Sequence, residues 1–428
     1  MMRRTNWKVF PSTWDCIFKL FLGLLAFIPL RLAAQDSEPY VSADGSVTFT
    51  LHAPGAKKAR LILGDRKYKM EQQGDNFTYH TVPLSPEMYT YEYVVDGRVM
   101  ADPKNSRVTR DVEKRLNYFF VAGGMADHYV DKDIPHGTLS KVWYPSTLNG
   151  MSQRRLCVYT PPGYDDHPEE SYPVLYLLHG SGGDETTWAD GGRVCQILDD
   201  LIHTDSIKPL VVVMPNGNIE LDAAPGESPY MDKLPSGNNV NSMVGKFEKL
   251  FVKEIVGFTE KNYRVRKDKA HRAIAGLSMG GLHALFISLN HPQLFDYVGL
   301  FSAQTSNMLT ERRIYKIERF NYNRQRIRNI AALIGDRIPA PISLSDKLSC
   351  LDIYENIEQK LAQQFSPAPR LYYMAIGRDD FLNKMNSQYR SLLASHGYPY
   401  TFVSSEGGHS WENWRRYLVD FLQRIFYP

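Results

Sequence analysis

Between residues 38 and 125, apolar and polar positions alternate in short stretches separated by turn residues. Ser46-Val47-Thr48-Phe49-Thr50-Leu51 keeps period 2 and stops at Ala53-Pro54-Gly55, the pattern of a strand buried on one face. Residues 59–63, 77–82 and 89–95 continue the series. Asp96-Gly97 then supplies a two-residue hairpin turn into residues 98–100. Regular short strands of this kind predict an immunoglobulin-like β-sandwich over residues 38–125.

From about residue 133 the pattern changes. Residues 174–178 (Val-Leu-Tyr-Leu-Leu) and 210–214 (Leu-Val-Val-Val-Met) are continuous apolar runs, as expected of parallel strands covered on both faces. Residues 271–275, 298–302, 371–377 and 400–403 supply further strands. Helical stretches fall at 246–262, 280–289 and 381–396. This alternation predicts an α/β domain over residues 133–428 with a central, mostly parallel sheet. Two stretches break it: 219–242, rich in Gly, Pro and Asn, and 304–369, with a basic cluster at 312–328 that reads as a solvated helix face. The first could form a lid over a site.

The N-terminus follows neither pattern. Arg3, Arg4 and Lys8 precede an apolar run at 20–30, followed by Leu32-Ala33-Ala34-Gln35. This is the layout of a secretory signal peptide over residues 1–35, and the run is too short to span a bilayer. The expected location is therefore secreted or periplasmic, with no stable membrane insertion once the leader is cleaved. Cys157, Cys195 and Cys350 remain beyond it, with no CxxC spacing. One disulfide is possible in an oxidising compartment, but a disulfide framework is not. The chain has 50 Lys plus Arg against 47 Asp plus Glu, so no strong field favours a nucleic-acid partner.

The chemistry centres on Gly276-Leu277-Ser278-Met279-Gly280, placed between a predicted strand and a predicted helix. That context defines a nucleophile elbow, in which a tight turn presents Ser278 and demands small neighbours. A serine hydroxyl needs a base, itself oriented by an acid. In the α/β-hydrolase chain order both follow the serine. His409, in Gly407-Gly408-His409-Ser410-Trp411, is the candidate base. Asp379 and Asp380, just past the 371–377 strand, are both candidate acids, with helix capping as their ordinary alternative role. His283, on the helix after the elbow, is expected to pack beneath it, and His291 to be structural. One oxyanion donor is the N–H of Met279; the other should come from the loop His179-Gly180-Ser181-Gly182-Gly183-Asp184. That Gly-rich loop lacks a following Gly-Lys-Ser/Thr, so it is not a P-loop. No HExxH or paired Cys/His spacing supports a metal.

These motifs, together with Val158-Tyr159-Thr160-Pro161-Pro162-Gly163-Tyr164, resemble the esterase D-like α/β-hydrolases. That group includes the feruloyl and acetyl-xylan esterases of carbohydrate esterase family 1 and the enterochelin esterases. The resemblance implies that Asp380, the last residue of Gly377-Arg378-Asp379-Asp380, is the acid, and that Ser181 carries the second oxyanion N–H. Phe49, Ala53-Pro54, Ala56, Tyr89, Tyr91, Val95-Asp96-Gly97 and Asp102-Pro103 are similar to early-set modules of carbohydrate-binding family 48. In that module's 65–76 segment, where carbohydrate-stacking aromatics are expected, only Tyr68 is aromatic. Together the resemblances imply a secreted, cofactor-free serine esterase acting on a polysaccharide or oligosaccharide ester, feruloyl or acetyl on xylan. The alternatives are a siderophore esterase and an inactive glycan-binding scaffold.

Overall fold

The computed structural model describes residues 39–112, 114–228, 245–305 and 350–426. Its N-terminal part is all β. Strands β1 (Tyr40–Val41), β2 (Val47–His52), β3 (Ala59–Leu63), β4 (Arg66–Lys69), β5 (Glu71–Gln73), β6 (Asn76–His80), β7 (Glu87–Val95), β8 (Arg98–Met100), β9 (Val108–Asp111) and β10 (Lys114–Val121) form two antiparallel sheets. Their orders are β1-β2-β6-β5 and β4-β3-β7-β10-β9, with β8 on β7. The alternation in β2 buries Val47, Phe49 and Leu51 against Leu61, Tyr91, Tyr93 and Phe119 of the facing sheet. The Phe49 ring meets Tyr91 edge-on at 5.1 Å. Tyr68, on β4, is half-buried against Tyr79 at 4.8 Å and packs onto this core. Asp102 is buried and accepts from the Tyr91 hydroxyl at 2.7 Å, while its N–H donates to Asn117 at 2.7 Å. A polar bracket of this kind fixes the chain leaving β8.

The second part is built on one eight-stranded sheet. Its strands are β11 (Thr138–Pro145), β12 (Gln153–Thr160), β13 (Val174–Leu178), β14 (Val211–Pro215), β15 (Arg272–Leu277), β16 (Tyr297–Phe301), β17 (Leu371–Gly377) and β18 (Thr401–Ser405). The order is β11-β12-β14-β13-β15-β16-β17-β18. The β11–β12 and β12–β14 pairs are antiparallel and all later pairs parallel. The expected α/β-hydrolase architecture, preceded by an all-β region, is what the chain forms.

The continuous apolar runs are explained by burial on both faces. Val174, Tyr176 and Leu178 point into one core and Leu175 and Leu177 into the other. Helices α1 (Thr187–Asp190), α2 (Val194–His203), α3 (Lys246–Phe251), α4 (Gly257–Asn262), α5 (Met279–Asn290), α6 (Ile357–Gln364), α7 (Asn383–Ser395) and α8 (Trp411–Leu422) accompany the sheet. Phe247, Phe251, Leu282 and Leu285 of α3 and α5 cover the first face. Ile197, Leu198, Tyr417 and Phe421 of α2 and α8 cover the second.

Several boundaries differ from the sequence reading. The helix expected over 246–262 is α3 and α4 joined by a π turn, Val252–Val256. The helix expected from 381 starts at Asn383, because the chain first turns through Asp380, whose carboxylate accepts the Leu382 N–H. Among the described residues, Cys157, Cys195 and Cys350 form no disulfide with one another. The start of the supposed lid packs inward, with Ile219, Leu221, Ala223 and Ala224 buried. The leader expected at residues 1–35, residues 229–244 and the basic cluster at 312–328 lie outside the described residues. Among the described residues, no helix is long and apolar enough to cross a membrane.

Candidate active site

Ser278 sits between β15 and α5 with φ 53 and ψ −114, a left-handed backbone that a non-glycine residue adopts only under constraint. The constraint is visible on both sides. The Ser278 N–H donates to Phe301 O at 2.9 Å, and Ser278 O accepts from Gln304 N at 3.2 Å. The flanking glycines are required sterically. A Cβ on Gly276 would lie 2.4 Å from the Gly280 backbone, and one on Gly280 would lie 2.3 Å from Leu178 O. The elbow is thus wedged against the end of β13, which brings it beside the 179–184 loop.

Asp380 follows β17, and His409 lies in the loop between β18 and α8. The His409 Nδ1–H donates to Asp380 Oδ2 at 2.8 Å, and the Asp380 side chain is fully buried. The other oxygen, Oδ1, accepts the Leu382 N–H at 2.9 Å. Burial pushes the Asp380 carboxyl up, but the hydrogen bonds from His409 and the Leu382 N–H outweigh it and hold it below its ordinary value. Asp379 does not join: its side chain is exposed, and only its backbone N–H is engaged, with Gly407 O at 3.0 Å. Of the two carboxylates, Asp380 is the partner of His409. One of its oxygens closes the local turn before the helix and the other takes the imidazole.

Asn413, which the sequence reading missed, shapes the loop that carries His409. Its amide donates to Glu406 O at 3.0 Å and Gly408 O at 2.9 Å, while its carbonyl accepts from Ser405. The imidazole lies between Phe381, 4.6 Å away, and the edge of Trp414, 4.9 Å away.

The 179–184 loop is braced from below. His179 is buried, its Nδ1 bonded to Gly180 O at 2.8 Å and its Nε2 accepting the Gly217 N–H at 2.8 Å. A ring nitrogen that accepts a backbone N–H carries no proton, so this imidazole is neutral, and burial pulls its pKa down to about 4. Buried Glu185 ties the same loop to Arg155 at 2.7 Å, to the Ala224 N–H and to Asn216. His283 is buried as expected, but its Nδ1 pairs with Glu248 at 2.9 Å, outside the site.

Ser278, Ser181 and His409 all line one cavity of about 300 Å3. Phe381, Trp411, Trp414 and Thr187 also line it, and so do Asp111 and Val112 from the β9–β10 turn. The last two come from the N-terminal sheet and escaped the sequence reading. Met279 opens α5, where the first N–H groups have no intrahelical acceptor. A hydroxyl, an imidazole oriented by a buried carboxylate, and free N–H groups at a helix start are the parts that acyl transfer requires.

Fold and site together define an α/β-hydrolase. The family model described as "Putative esterase" matches residues 150–425, and the chain belongs to that esterase family. Relatives include the endo-1,4-beta-xylanase/feruloyl esterase of Xylanibacter ruminicola, 32% identical over 65% of this chain and 38% of that protein. The acetyl esterase of Caldicellulosiruptor saccharolyticus is 29% identical over 60% of this chain and 85% of its own. The chain thus spans well under half of the first of these relatives. The crystal structure of an enterobactin esterase from Shigella flexneri shares the fold, with a TM-score of 0.57 over 88% of this chain and 92% of that one at 14% identity.

Proposed function

We propose that the protein is a secreted serine esterase that cleaves feruloyl or acetyl esters on xylan. The observation that carries the mechanism is the 2.8 Å bond from His409 to buried Asp380, beside a strained Ser278 lining the same cavity. Ser278 Oγ attacks the ester carbonyl while His409 Nε2 takes its proton. The N–H groups of Met279 and Ser181 hold the developing oxyanion. His409 returns the proton to the departing sugar hydroxyl, leaving an acyl-enzyme. Water, deprotonated by His409, then releases the carboxylic acid and restores Ser278. In this reading the Ser278, His409 and Asp380 side chains, two backbone N–H groups and one water carry the whole reaction.

The choice of substrate is supported by the names of the relatives, one a feruloyl esterase and one an acetyl esterase. An aromatic-rich cleft of Phe381, Trp411 and Trp414 suits a phenolic acid or a sugar ring. Secretion rests on the leader-like residues 1–35.

The test is release of ferulate and acetate from feruloylated and acetylated xylan oligosaccharides, by the intact protein and by Ser278→Ala. Release that disappears in the variant is expected. Ser278-dependent cleavage of 4-nitrophenyl acetate with neither acid released from xylan would overturn the substrate and turn the search to siderophore esters. Binding of glycan with no esterase activity at all would overturn the enzyme reading.

A further inference from the structure

We propose that the β9–β10 turn of the N-terminal β region is a wall of the substrate cleft, with Asp111 and Val112 setting which esters the site accepts. Arg110 ties that wall to the loop carrying Ser181. The proposal rests on the esterase reading above and adds to it a specificity element from outside the hydrolase sheet.

Three independent observations carry it. The first is position: Asp111 and Val112 line the cavity that also exposes Ser278, Ser181 and His409.

The second is the backbone of Val112, at φ 53. A β-branched residue there is a genuine outlier, because its Cβ crowds the backbone. The equivalent first position of the β7–β8 turn is Asp96, at φ 47, a residue type that tolerates this region as a β-branched one does not. At position 112 the strained conformation carries an isopropyl group instead, and that group reaches the cleft. Strain of this kind concentrates where a side chain is needed for function.

The third is the Arg110 guanidinium. Its Nη1 donates to Val112 O at 3.3 Å, and its Nη2 donates to Thr186 Oγ1 at 3.1 Å and pairs with Asp184. The Asp184 carboxylate is fully buried, and its Oδ1 also accepts the Thr186 N–H at 3.0 Å. One planar, rigid fork thus holds the turn by its carbonyl and the oxyanion loop by its carboxylate. The turn cannot shift without pulling on that loop, so Arg110 is a positioning residue.

The chemistry of the wall follows from its two side chains. Val112 narrows the cleft against bulky groups in the wrong orientation. Asp111 is the one carboxylate among the described lining residues. It accepts hydrogen bonds from sugar hydroxyls and repels anionic esters, so attraction and exclusion both act on substrate choice.

The test uses the full chain with Val112→Gly and, separately, Asp111→Ala. Glycine takes φ 53 freely, so Val112→Gly should keep or raise Tm while losing the wall. The readout is the KM for whichever xylan oligosaccharide ester the wild type hydrolyses, divided by the KM for 4-nitrophenyl acetate. A rise of threefold or more in that ratio is expected in each variant. A turn with no part in substrate choice would leave the ratio alone, whatever the Tm. A ratio within threefold of wild type in both variants overturns the wall while Ser278→Ala still abolishes turnover. Ser278→Ala retaining full activity would instead sink the esterase reading itself.

Discussion

Replacing Asp380 by Asn tests the site at its most constrained point. Both carboxylate oxygens face donors: Oδ1 takes the Leu382 N–H at 2.9 Å and Oδ2 the His409 Nδ1–H at 2.8 Å. An amide has one acceptor, so it satisfies only one of them. If the oxygen stays on Leu382, the NH2 group faces His409 and moves the imidazole proton to Nε2. That nitrogen then cannot receive the Ser278 proton. If the amide flips, its NH2 group opposes the Leu382 N–H inside a buried turn. The first arrangement costs less, and a wrong tautomer of this kind lowers kcat about 10^4-fold, roughly 5.5 kcal/mol at about 1.4 kcal/mol per factor of ten. The assay is kcat and KM on 4-nitrophenyl acetate for Asp380→Asn and Asp379→Asn, with circular dichroism to show that both are folded. Asp379→Asn, altering an exposed side chain, should stay near wild type. The acid limb carries a second sign. The Asp380 carboxyl is held below its ordinary value, so its contribution to stability is full above about pH 4 and is lost as pH falls through the lowered value. Asparagine removes that part of acid unfolding. A loss of less than tenfold in kcat for Asp380→Asn would refute the assignment of the acid.

Three further outcomes follow from the packing. Burial keeps His179 neutral with a pKa of about 4, whereas the unfolded chain protonates near 6.5, so stability is full above about pH 6.5 and is lost progressively towards pH 4. In urea titrations across that range His179→Asn should flatten the slope of unfolding free energy against pH, and an unchanged slope would count against the buried strut. Gly280→Ala places a Cβ 2.3 Å from Leu178 O, a backbone clash that should cost about 3 kcal/mol or prevent folding; a wild-type Tm would contradict it. Glu87, at the start of β7, receives Arg415 at 2.9 Å and the Tyr129 hydroxyl. Glu87→Ala leaves that guanidinium buried without its carboxylate and should lose about 3 kcal/mol, read as the shift of the urea midpoint; a midpoint unmoved from wild type would rule out this link between the β region and α8.

What was legible in the sequence is what local rules specify. The runs at 174–178 and 210–214 read as central strands because both faces of each are buried. The strand, tight turn and helix around Ser278 were legible because the small residues that fix them lie within a few positions of it. Asp379 and Asp380 could not be separated by mechanics, since both follow β17 and either could cap the next turn. What separates them is which side chain turns inward, and that is fixed by the Asp379 N–H on Gly407 and the Leu382 N–H on Asp380. Strands β4 and β5 went unread because their residues are mostly exposed, so they have no buried face to alternate. Arg110, Asp111 and Val112 were invisible for a different reason. Their partners, Asp184, Thr186 and the cleft, belong to another sheet, and no period in the chain encodes that docking. A valine at the tip of a hairpin, where glycine or asparagine is usual, was the one local signal available.

The strained residues share a location that argues for a common cause. Ser278 at φ 53 and Ser302 at φ 43 both stand immediately after parallel strands. Each is pinned by the neighbouring ladder, Ser278 N to Phe301 O and Ser302 N to Ala375 O at 2.7 Å. The conformation of Ser278 is therefore held by the end of β16 as well as by its own turn, and that of Ser302 by the end of β17. A ladder bond of this type is available only where parallel strands end in register, at the carboxyl edge of the sheet. Asp380 leaves that same edge from β17 and His409 from β18. The parallel sheet thus does more than carry the site, because its last hydrogen bonds hold the serine in a backbone geometry it would not adopt alone. Val112 is strained at the same cleft in a hairpin whose ladder closes at Asp111 and Lys114, with its carbonyl held by Arg110. Its geometry is accordingly the part of the site that substitution can relax without disturbing the sheet.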